Sequence, residues 1–175
     1  GKGIQGIIVM GTGDQTPGTL KAAKCISSIL RFFQGEKHVS KLMEKMSFGS
    51  YLKRIPDAKT PFDWLSVNQD NVKRYMADPM CGFTFTINGY RTVLELLSRL
   101  SDKEALKSIP SQLPVLLVSG AEDPVGNYGE AVTALEQALR QSGLKDVTKK
   151  LYAGDRHEIL NEENHQDVYD DILRW

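Results

Sequence analysis

The sequence predicts an α/β fold in which about three parallel strands with flanking helices are joined to an all-helical insertion. Short apolar runs rich in β-branched residues cover residues 4–10, 115–119 and 147–152. Such runs are typical of strands in a parallel sheet. Between the second and third runs, apolar residues recur every three or four positions, which predicts a helix packed on the sheet. Alternating strands and helices of this kind are typical of a doubly wound arrangement.

A long stretch from 14 to 102 contains no convincing strand and carries helical periodicity instead. We therefore divide the chain into a partial α/β core, formed by 1–13 and 103–175, and a helical insertion at 14–102. Three strands are fewer than the five or six of a typical sheet. The chain also begins directly on an apolar strand and lacks an initiating Met. We expect a truncated chain on these grounds.

The first strand, 4–10, ends at Gly11 and is expected to be buried on both faces. A missing neighbouring strand would leave it with an unpaired edge, and such edges pair with other chains. Two partners fit this edge: the absent N-terminal half of the same protein, or a second copy in a homo-oligomer.

The insertion is predicted to contain four helices. Helices are expected over 19–34 and 39–48, where apolar residues repeat at helical spacing. A capping box formed by Ser66 and Gln69 predicts a third helix that ends near Met76, and Asn88 is expected to cap a fourth. Their apolar faces line a pocket, form the core of the insertion, or do both.

The C-terminal part returns to alternating elements. A buried strand is predicted over Val115–Ser119, followed by a helix from Tyr128 to Gln141. The alternating run Val147–Tyr152 predicts a strand nearer the edge, and a helix from His165 to Trp175 is expected to be capped by Asn164.

Bulk composition excludes several classes of protein. Among 175 residues, 22 are Lys or Arg and 22 are Asp or Glu, so no net positive charge favours a nucleic-acid partner. The apolar runs are shorter than the roughly 18 residues that a membrane span requires. Two cysteines do not form a disulfide framework, so a cytoplasmic location is expected. No Cys/His cluster has zinc-like spacing, and no metal or cofactor is predicted.

Two candidate catalytic residues follow the last two predicted strands. Asp123 lies on a turn just after the second strand, and His157 lies on a loop after the third. A buried carboxylate at such a position can accept the imidazole N–H and orient a histidine base. Taken singly, Asp123 also fits a turn aspartate that bonds its own backbone, and His157 fits an exposed loop histidine. Asp155 and Glu158 flank the histidine as rival acids, but neither directly follows a strand.

Other chemically active side chains have simpler interpretations. His38 and His165 are expected to be structural, and Cys81 is expected to be a small apolar side chain rather than a nucleophile. Gly11-Thr12-Gly13 resembles a dinucleotide-binding turn only in part, because Thr16 stands where a third glycine is required. No Gly-x-Ser-x-Gly pattern, which would present a nucleophilic serine, occurs in the chain.

The chain resembles the bacterial α/β-hydrolases known as lysophospholipases, which are similar to monoacylglycerol lipases and the serine aminopeptidase group. The resemblance is most specific in two segments, Leu-Pro-Val-Leu-Leu-Val-Ser-Gly-Ala-Glu-Asp-Pro-Val-Gly at 113–126 and Leu-Tyr-Ala-Gly-Asp-Arg-His-Glu-Ile-Leu-Asn-Glu at 151–162. Residues 4–13 and 62–83 resemble, respectively, the strand after the nucleophile-bearing helix and part of the family's cap.

This resemblance implies that Asp123 is the acid and His157 the base of a catalytic triad. It implies a cap at about 14–102, and a carboxylic ester as substrate, such as a monoacyl lipid. The family's serine and oxyanion loop lie upstream of the matching region, so this chain alone is expected to be inactive. Two alternatives remain: a non-catalytic binding module of hydrolase ancestry, and a nucleotide-binding domain that uses residues 11–18.

Overall fold

The computed structural model describes residues 3–13, 15–100 and 103–175. Parallel strands and flanking helices form as predicted, and the three strands β1 (Ile7–Met10), β2 (Val115–Gly120) and β3 (Val147–Tyr152) lie in this order in the sheet. Ile7 of β1 is opposite Val115 of β2, which is in turn opposite Val147 of β3. The elements of the described residues are β1 (Ile7–Met10), α1 (Pro17–Gln34), α2 (Lys41–Phe48), α3 (Gln69–Ala77), α4 (Ile87–Leu100), α5 (Lys103–Leu106), β2 (Val115–Gly120), α6 (Glu130–Gln141), β3 (Val147–Tyr152) and α7 (His165–Arg174).

The two faces of β2 form the centre of two apolar clusters. Val115 and Leu117 point to one face, where they pack with α6 residues such as Val132. Leu116 and Val118 point to the other face and pack with residues that include Val168 of α7. Successive side chains of a strand alternate between faces, so a continuous apolar run is required where both faces are covered.

The prediction that β1 is buried on both faces is wrong. Ile7 and Val9 pack against the cluster on the α6 side of the sheet. The opposite face of β1 is open, with Ile8 43% and Met10 36% exposed. Within the described residues β1 pairs only with β2, so its other edge is unpaired.

Helices α1 to α4 come between β1 and β2, as predicted, and α1 packs against α4. The only strand-like pairing described in this part of the chain is an isolated bridge between Val39 and Thr86. The contact between α1 and α4 is polar at its rim, where Lys24 pairs with Glu95 and Arg91 donates to the Ser28 hydroxyl.

Several predicted helix starts differ from the observed ones because other side chains satisfy the free backbone N–H groups. Asn68, rather than Ser66, caps α3 by accepting from the N–H groups of Asp70 and Asn71. The Thr86 hydroxyl accepts from the Gly89 N–H at the start of α4, so Asn88 already lies inside the helix.

Two further boundaries in the C-terminal part also differ. The side chain of Asn164 makes no capping hydrogen bond to α7, and its Oδ1 is buried with no partner in the part of the chain that the structure describes. Helix α6 begins at Glu130 rather than at Tyr128, because Asn127 and Tyr128 both have positive φ values and Gly129 follows with φ 88°. Left-handed backbone cannot continue into a right-handed helix.

None of the described helices is long and apolar enough to cross a membrane. The described residues also contain no group of three or more His, Cys, Asp or Glu side chains arranged to hold a metal ion.

Candidate active site

Asp123 lies on the turn that follows β2, and its side chain is completely buried. One carboxylate oxygen, Oδ1, accepts from the backbone N–H of Val125 at 2.8 Å. The other, Oδ2, accepts from the buried Ser119 hydroxyl at 3.4 Å. The backbone bond to Val125 is the turn-aspartate contact considered above, but it occupies only one of the two oxygens.

The left-handed backbone after Asp123 keeps this turn compact. Tyr128 donates its N–H to the Asp123 carbonyl at 2.9 Å, which closes the turn around the carboxylate. The Arg54 guanidinium lies 3.7 Å from the centre of the Tyr128 ring, so a residue of the insertion covers the turn. This stacking is a cation–π contact, which is stronger where water is excluded.

His157 lies on the loop after β3, and a glycine brings that loop against the end of β2. A Cβ atom on Gly120 would lie 2.1 Å from the Arg156 carbonyl oxygen and 2.2 Å from that of Asp155. Glu122 also donates its N–H to the Asp155 carbonyl at 2.9 Å. The close backbone approach at Gly120 therefore brings the two predicted site residues together. A residue with a side chain would not fit at this position.

The imidazole Nδ1 of His157 lies 3.0 Å from Oδ2 of Asp123. An ionised carboxylate only accepts hydrogen bonds, so this contact favours the tautomer with the proton on Nδ1. The Nε2 atom is then left as an acceptor. The His157 side chain is 29% exposed whereas Asp123 is fully buried, so the ring faces outward from a buried anchor.

The rival acids do not bond to His157. Oδ2 of Asp155 is buried with no hydrogen-bond partner among the described residues, and burial together with the nearby Glu162 carboxylate raises the pKa of Asp155 to about 6. Glu158 accepts from the Asn71 side chain at 2.6 Å. The contact with the imidazole is thus made by the carboxylate that follows a strand.

Gly11, at the end of β1, also lies against the histidine. A Cβ atom there would be 3.1 Å from Cε1 of His157, and the φ of Gly11 is 58°. The glycine pair after β1 therefore lets the chain turn beside the imidazole. Thr16, which occupies the place of the missing third glycine, caps α1 by accepting from the Thr19 N–H.

Aromatic residues that the sequence did not single out lie next to His157. The Trp64 ring centre is 5.4 Å from that of the imidazole, and Tyr51 and Phe48 contact Trp64 at 5.0 and 6.0 Å. Burial, and to a smaller extent the charge of Asp123, raises the pKa of Tyr51, which indicates that it lies close to the acid. Trp64 and Tyr51 fall in a non-periodic stretch, so no pattern in the sequence pointed to them.

No hydroxyl or thiol among the described residues is hydrogen-bonded to His157. Cys81 is a free thiol whose pKa is raised by desolvation and by the Asp78 carboxylate, which disfavours the nucleophilic thiolate. His165 bonds through Nδ1 to the Glu162 carbonyl at 2.7 Å, and the side chain of His38 is exposed, in line with structural roles.

Residues 3–164 match the family model of the serine aminopeptidases S33, Hydrolase_4. A carboxyl esterase from Bacillus coagulans, crystallised with glycerol, is 28% identical with a TM-score of 0.86. The match covers 98% of this chain and 56% of the esterase. No curated protein sequence matches the chain significantly.

Two further solved structures share the fold at lower identity. A lipase in its open form is 20% identical with a TM-score of 0.83, over 97% of this chain and 55% of the lipase. A monoacylglycerol lipase from Paleococcus ferrophilus is 22% identical with a TM-score of 0.65, over 99% of this chain and 59% of that enzyme. The chain therefore spans between half and three fifths of the length of these proteins. By its sequence match and its fold, the chain belongs to the serine aminopeptidase S33 family of α/β-hydrolases.

Proposed function

We propose that this chain is the C-terminal part of a serine hydrolase that cleaves carboxylic esters, with Asp123 as the triad acid and His157 as the base. The observation that carries the proposal is the 3.0 Å contact between Nδ1 of His157 and Oδ2 of Asp123. The acid is buried and the imidazole is partly exposed, which is the arrangement that a base facing a substrate requires.

In this mechanism Nε2 of His157 removes the proton from a serine hydroxyl while the serine oxygen attacks the ester carbonyl. The tetrahedral intermediate collapses to an acyl-enzyme, and the imidazolium returns its proton to the departing alcohol. Water then repeats the sequence and releases the acid. The buried charge of Asp123 stabilises the imidazolium in both halves. We infer that the serine and the oxyanion donors come from a segment outside these 175 residues, the N-terminal half of the same protein.

The insertion at 14–102 is proposed to act as a cap on the core formed by 1–13 and 103–175. The aromatic group of Trp64, Tyr51 and Phe48 beside His157 would give the substrate an apolar wall. Such a wall fits an acyl chain, so we propose a monoacyl lipid or another short or medium acyl ester, in a lysophospholipase-like reaction. The similar proteins include an esterase and monoacylglycerol lipases.

The test is ester turnover by the full-length product of the gene. With p-nitrophenyl butyrate and a monoacylglycerol as substrates, His157→Ala is expected to lower kcat about 10⁴-fold, since no other histidine among the described residues bonds to Asp123. His38→Ala is the matched control, because the His38 side chain is exposed and lies on a different segment from Asp123 and His157, just before α2. Near-normal turnover by the His157→Ala protein would refute the assignment.

The 175-residue chain alone is expected to neither hydrolyse these esters nor react with a fluorophosphonate probe, because no hydroxyl of the described residues is bonded to His157. Native and denaturing mass spectrometry would establish which species is assayed: a single chain, a homo-oligomer, or a complex with a second polypeptide. Serine-dependent hydrolysis by a homogeneous single chain would contradict the proposal.

A non-catalytic binding module is the second candidate. It is favoured by the absence of a nucleophile beside His157 in the described part of the chain and by the open apolar face of β1. A full-length protein that lacks an elbow serine and binds an ester analogue without turnover would support the module over the enzyme.

A further inference from the structure

Glu162 is a buried carboxylate in the same loop as His157, and it takes no part in the proposed chemistry. Its side chain has no solvent exposure. Among the residues that the structure describes, it forms no ion pair with a lysine or arginine. A buried carboxylate is costly unless hydrogen-bond donors surround it. The donors around Glu162 therefore indicate what the residue stabilises.

These donors come from two separate segments. Oε1 accepts from the backbone N–H of Arg156 at 2.9 Å, directly before His157. Oε2 accepts from the Ser66 hydroxyl at 2.7 Å and from the N–H groups of Val67 at 3.0 Å and Asn68 at 3.2 Å. A single carboxylate thus joins the histidine loop to the turn that begins α3.

Two further contacts fasten the same loop on either side of the imidazole. The Arg156 guanidinium donates to the carbonyls of Asp63 at 2.7 Å and Ser66 at 3.3 Å. On the other side of His157, the N–H of Glu158 donates to the carbonyl of Leu65 at 2.8 Å. The residues before and after His157 are therefore both held by 63–68, and the ring of Trp64 from that segment lies against the imidazole.

We propose that Glu162 is a positioning residue that holds the His157 loop so that Nδ1 stays bonded to Asp123. The inference rests on the proposed function, because the orientation of the imidazole affects turnover only if His157 is the base. The loop leaves β3 through Gly154, whose φ of 82° and open surroundings place little restraint on it. Glu162 adds a buried side-chain tether to the backbone contacts that already hold Asp155 and Glu158. Displacement of a catalytic group by about 1 Å costs on the order of 10²-fold in rate.

The first experiment uses the 175-residue chain and needs no turnover. Long-range ¹H–¹⁵N NMR spectra at pH 8 report which imidazole nitrogen carries the proton. We expect the wild-type His157 to be protonated on Nδ1, and Glu162→Gln to give a mixture of both tautomers. The amide nitrogen of glutamine would face N–H donors that the carboxylate now satisfies, so the tether would be lost. Glu163→Gln is the matched control, because Glu163 is the next residue and its side chain is exposed. This variant is expected to keep the wild-type tautomer of His157.

Ser66→Ala provides a second, milder variant in case Glu162→Gln does not fold. It removes one donor to Oε2 while the backbone donors and the buried charge remain. A smaller shift of the tautomer ratio in the same direction is expected. Thermal unfolding of each variant checks that the comparison is made on folded protein.

The second experiment measures ester turnover by the full-length protein. Glu162→Gln is expected to lower kcat by about 10²-fold with little change in KM, since it alters a reacting group rather than substrate binding. Folded Glu162→Gln and Ser66→Ala chains that both keep the wild-type Nδ1 tautomer would overturn the positioning role. A changed tautomer in a protein whose wild type hydrolyses no ester would instead refute the proposed function while leaving the positioning role intact.

Discussion

Strands β1 and β2 are both mainly apolar in sequence, yet the structure buries them very differently. Every residue of β2 is buried, from Val115 to Gly120. In β1, partly buried residues alternate with exposed ones, so Ile8 and Met10 face outward. Both strands are rich in β-branched residues and both are parallel members of one sheet.

The difference shows that burial of a strand depends on its neighbours and not only on its own composition. β2 has a strand on each side and apolar side chains on both faces, contributed by α6 on one face and α7 on the other. β1 packs only against the cluster on the α6 face, through Ile7 and Val9. An apolar run therefore predicts a strand reliably, whereas the number of its covered faces is a property of the assembled sheet.

The largest expected effect separates the two strands directly. Leu117→Ala in β2 removes a side chain with no solvent exposure and should lower the free energy of unfolding by roughly 3–5 kcal/mol. Ile8→Ala in β1 is the matched truncation and should cost only about 1 kcal/mol, because Ile8 is already 43% exposed. Urea unfolding followed by circular dichroism measures both. Equal losses at the two positions would show that β1 is covered in solution.

The glycines that end the two strands should also differ. Gly120→Ala at the end of β2 places a methyl group against two backbone carbonyls, and we expect a loss of roughly 3 kcal/mol and displacement of the His157 loop. Gly11→Ala at the end of β1 meets only the imidazole edge, and its positive φ should cost about 1–2 kcal/mol. Urea unfolding gives the energies, and the imidazole NMR signals report the loop. A smaller loss for Gly120→Ala than for Gly11→Ala would contradict the close backbone approach.

The last effect concerns Asp155, the acid at the start of the His157 loop after β3, and it depends on pH. Because burial raises the pKa of Asp155 to about 6, the folded state binds a proton more tightly than the unfolded chain does. The stability that protonated Asp155 gives the folded state is therefore fully present at low pH, and it is lost as the pH rises through about 6. Asp155→Asn, which cannot ionise, should raise the free energy of unfolding by about 1–3 kcal/mol at pH 8.

At pH 4 the gain from Asp155→Asn should largely disappear, since the carboxyl is then protonated in the folded wild type. Thermal or urea unfolding across this pH range measures the difference. Asp57→Asn serves as the control and should show little pH-dependent gain, because Asp57 is exposed and its charge is not among those that raise the pKa of Asp155. A gain that is the same at pH 4 and pH 8 would mean that the ionisation of Asp155 is not its source.

The part of the candidate site that directly follows strand ends, Asp123 and His157, was predictable from the sequence. The carboxyl ends of parallel strands meet at one edge of the sheet, so the turn with Asp123 and the loop with His157 were expected to lie together. Trp64 and Glu162 were not predicted as site residues. Trp64 lies in a stretch without helical or strand periodicity. Glu162 is a glutamate, a residue type that is ordinarily found on the surface.

Local competition between polar side chains explains the wrong helix caps. Ser66 and Gln69 have the spacing of a capping box, but the Ser66 hydroxyl is used by Glu162, far along the chain. Asn68 then caps α3 in its place. The spacing of Ser66 and Gln69 cannot reveal that the Ser66 hydroxyl bonds to a carboxylate distant in sequence instead of capping the helix.

The sequence was sufficient to predict the alternation of strands and helices, the helical stretch between β1 and β2, and the acid and histidine at successive strand ends, because hydrophobic period and turn residues are local properties of the chain. The folded chain was needed to show that β1 is open on one face, that Asp123 rather than Asp155 bonds His157, and that Glu162 ties the histidine loop to the start of α3. These features depend on contacts between residues distant in sequence, and backbone approaches such as the one at Gly120 become visible only when the sheet is assembled.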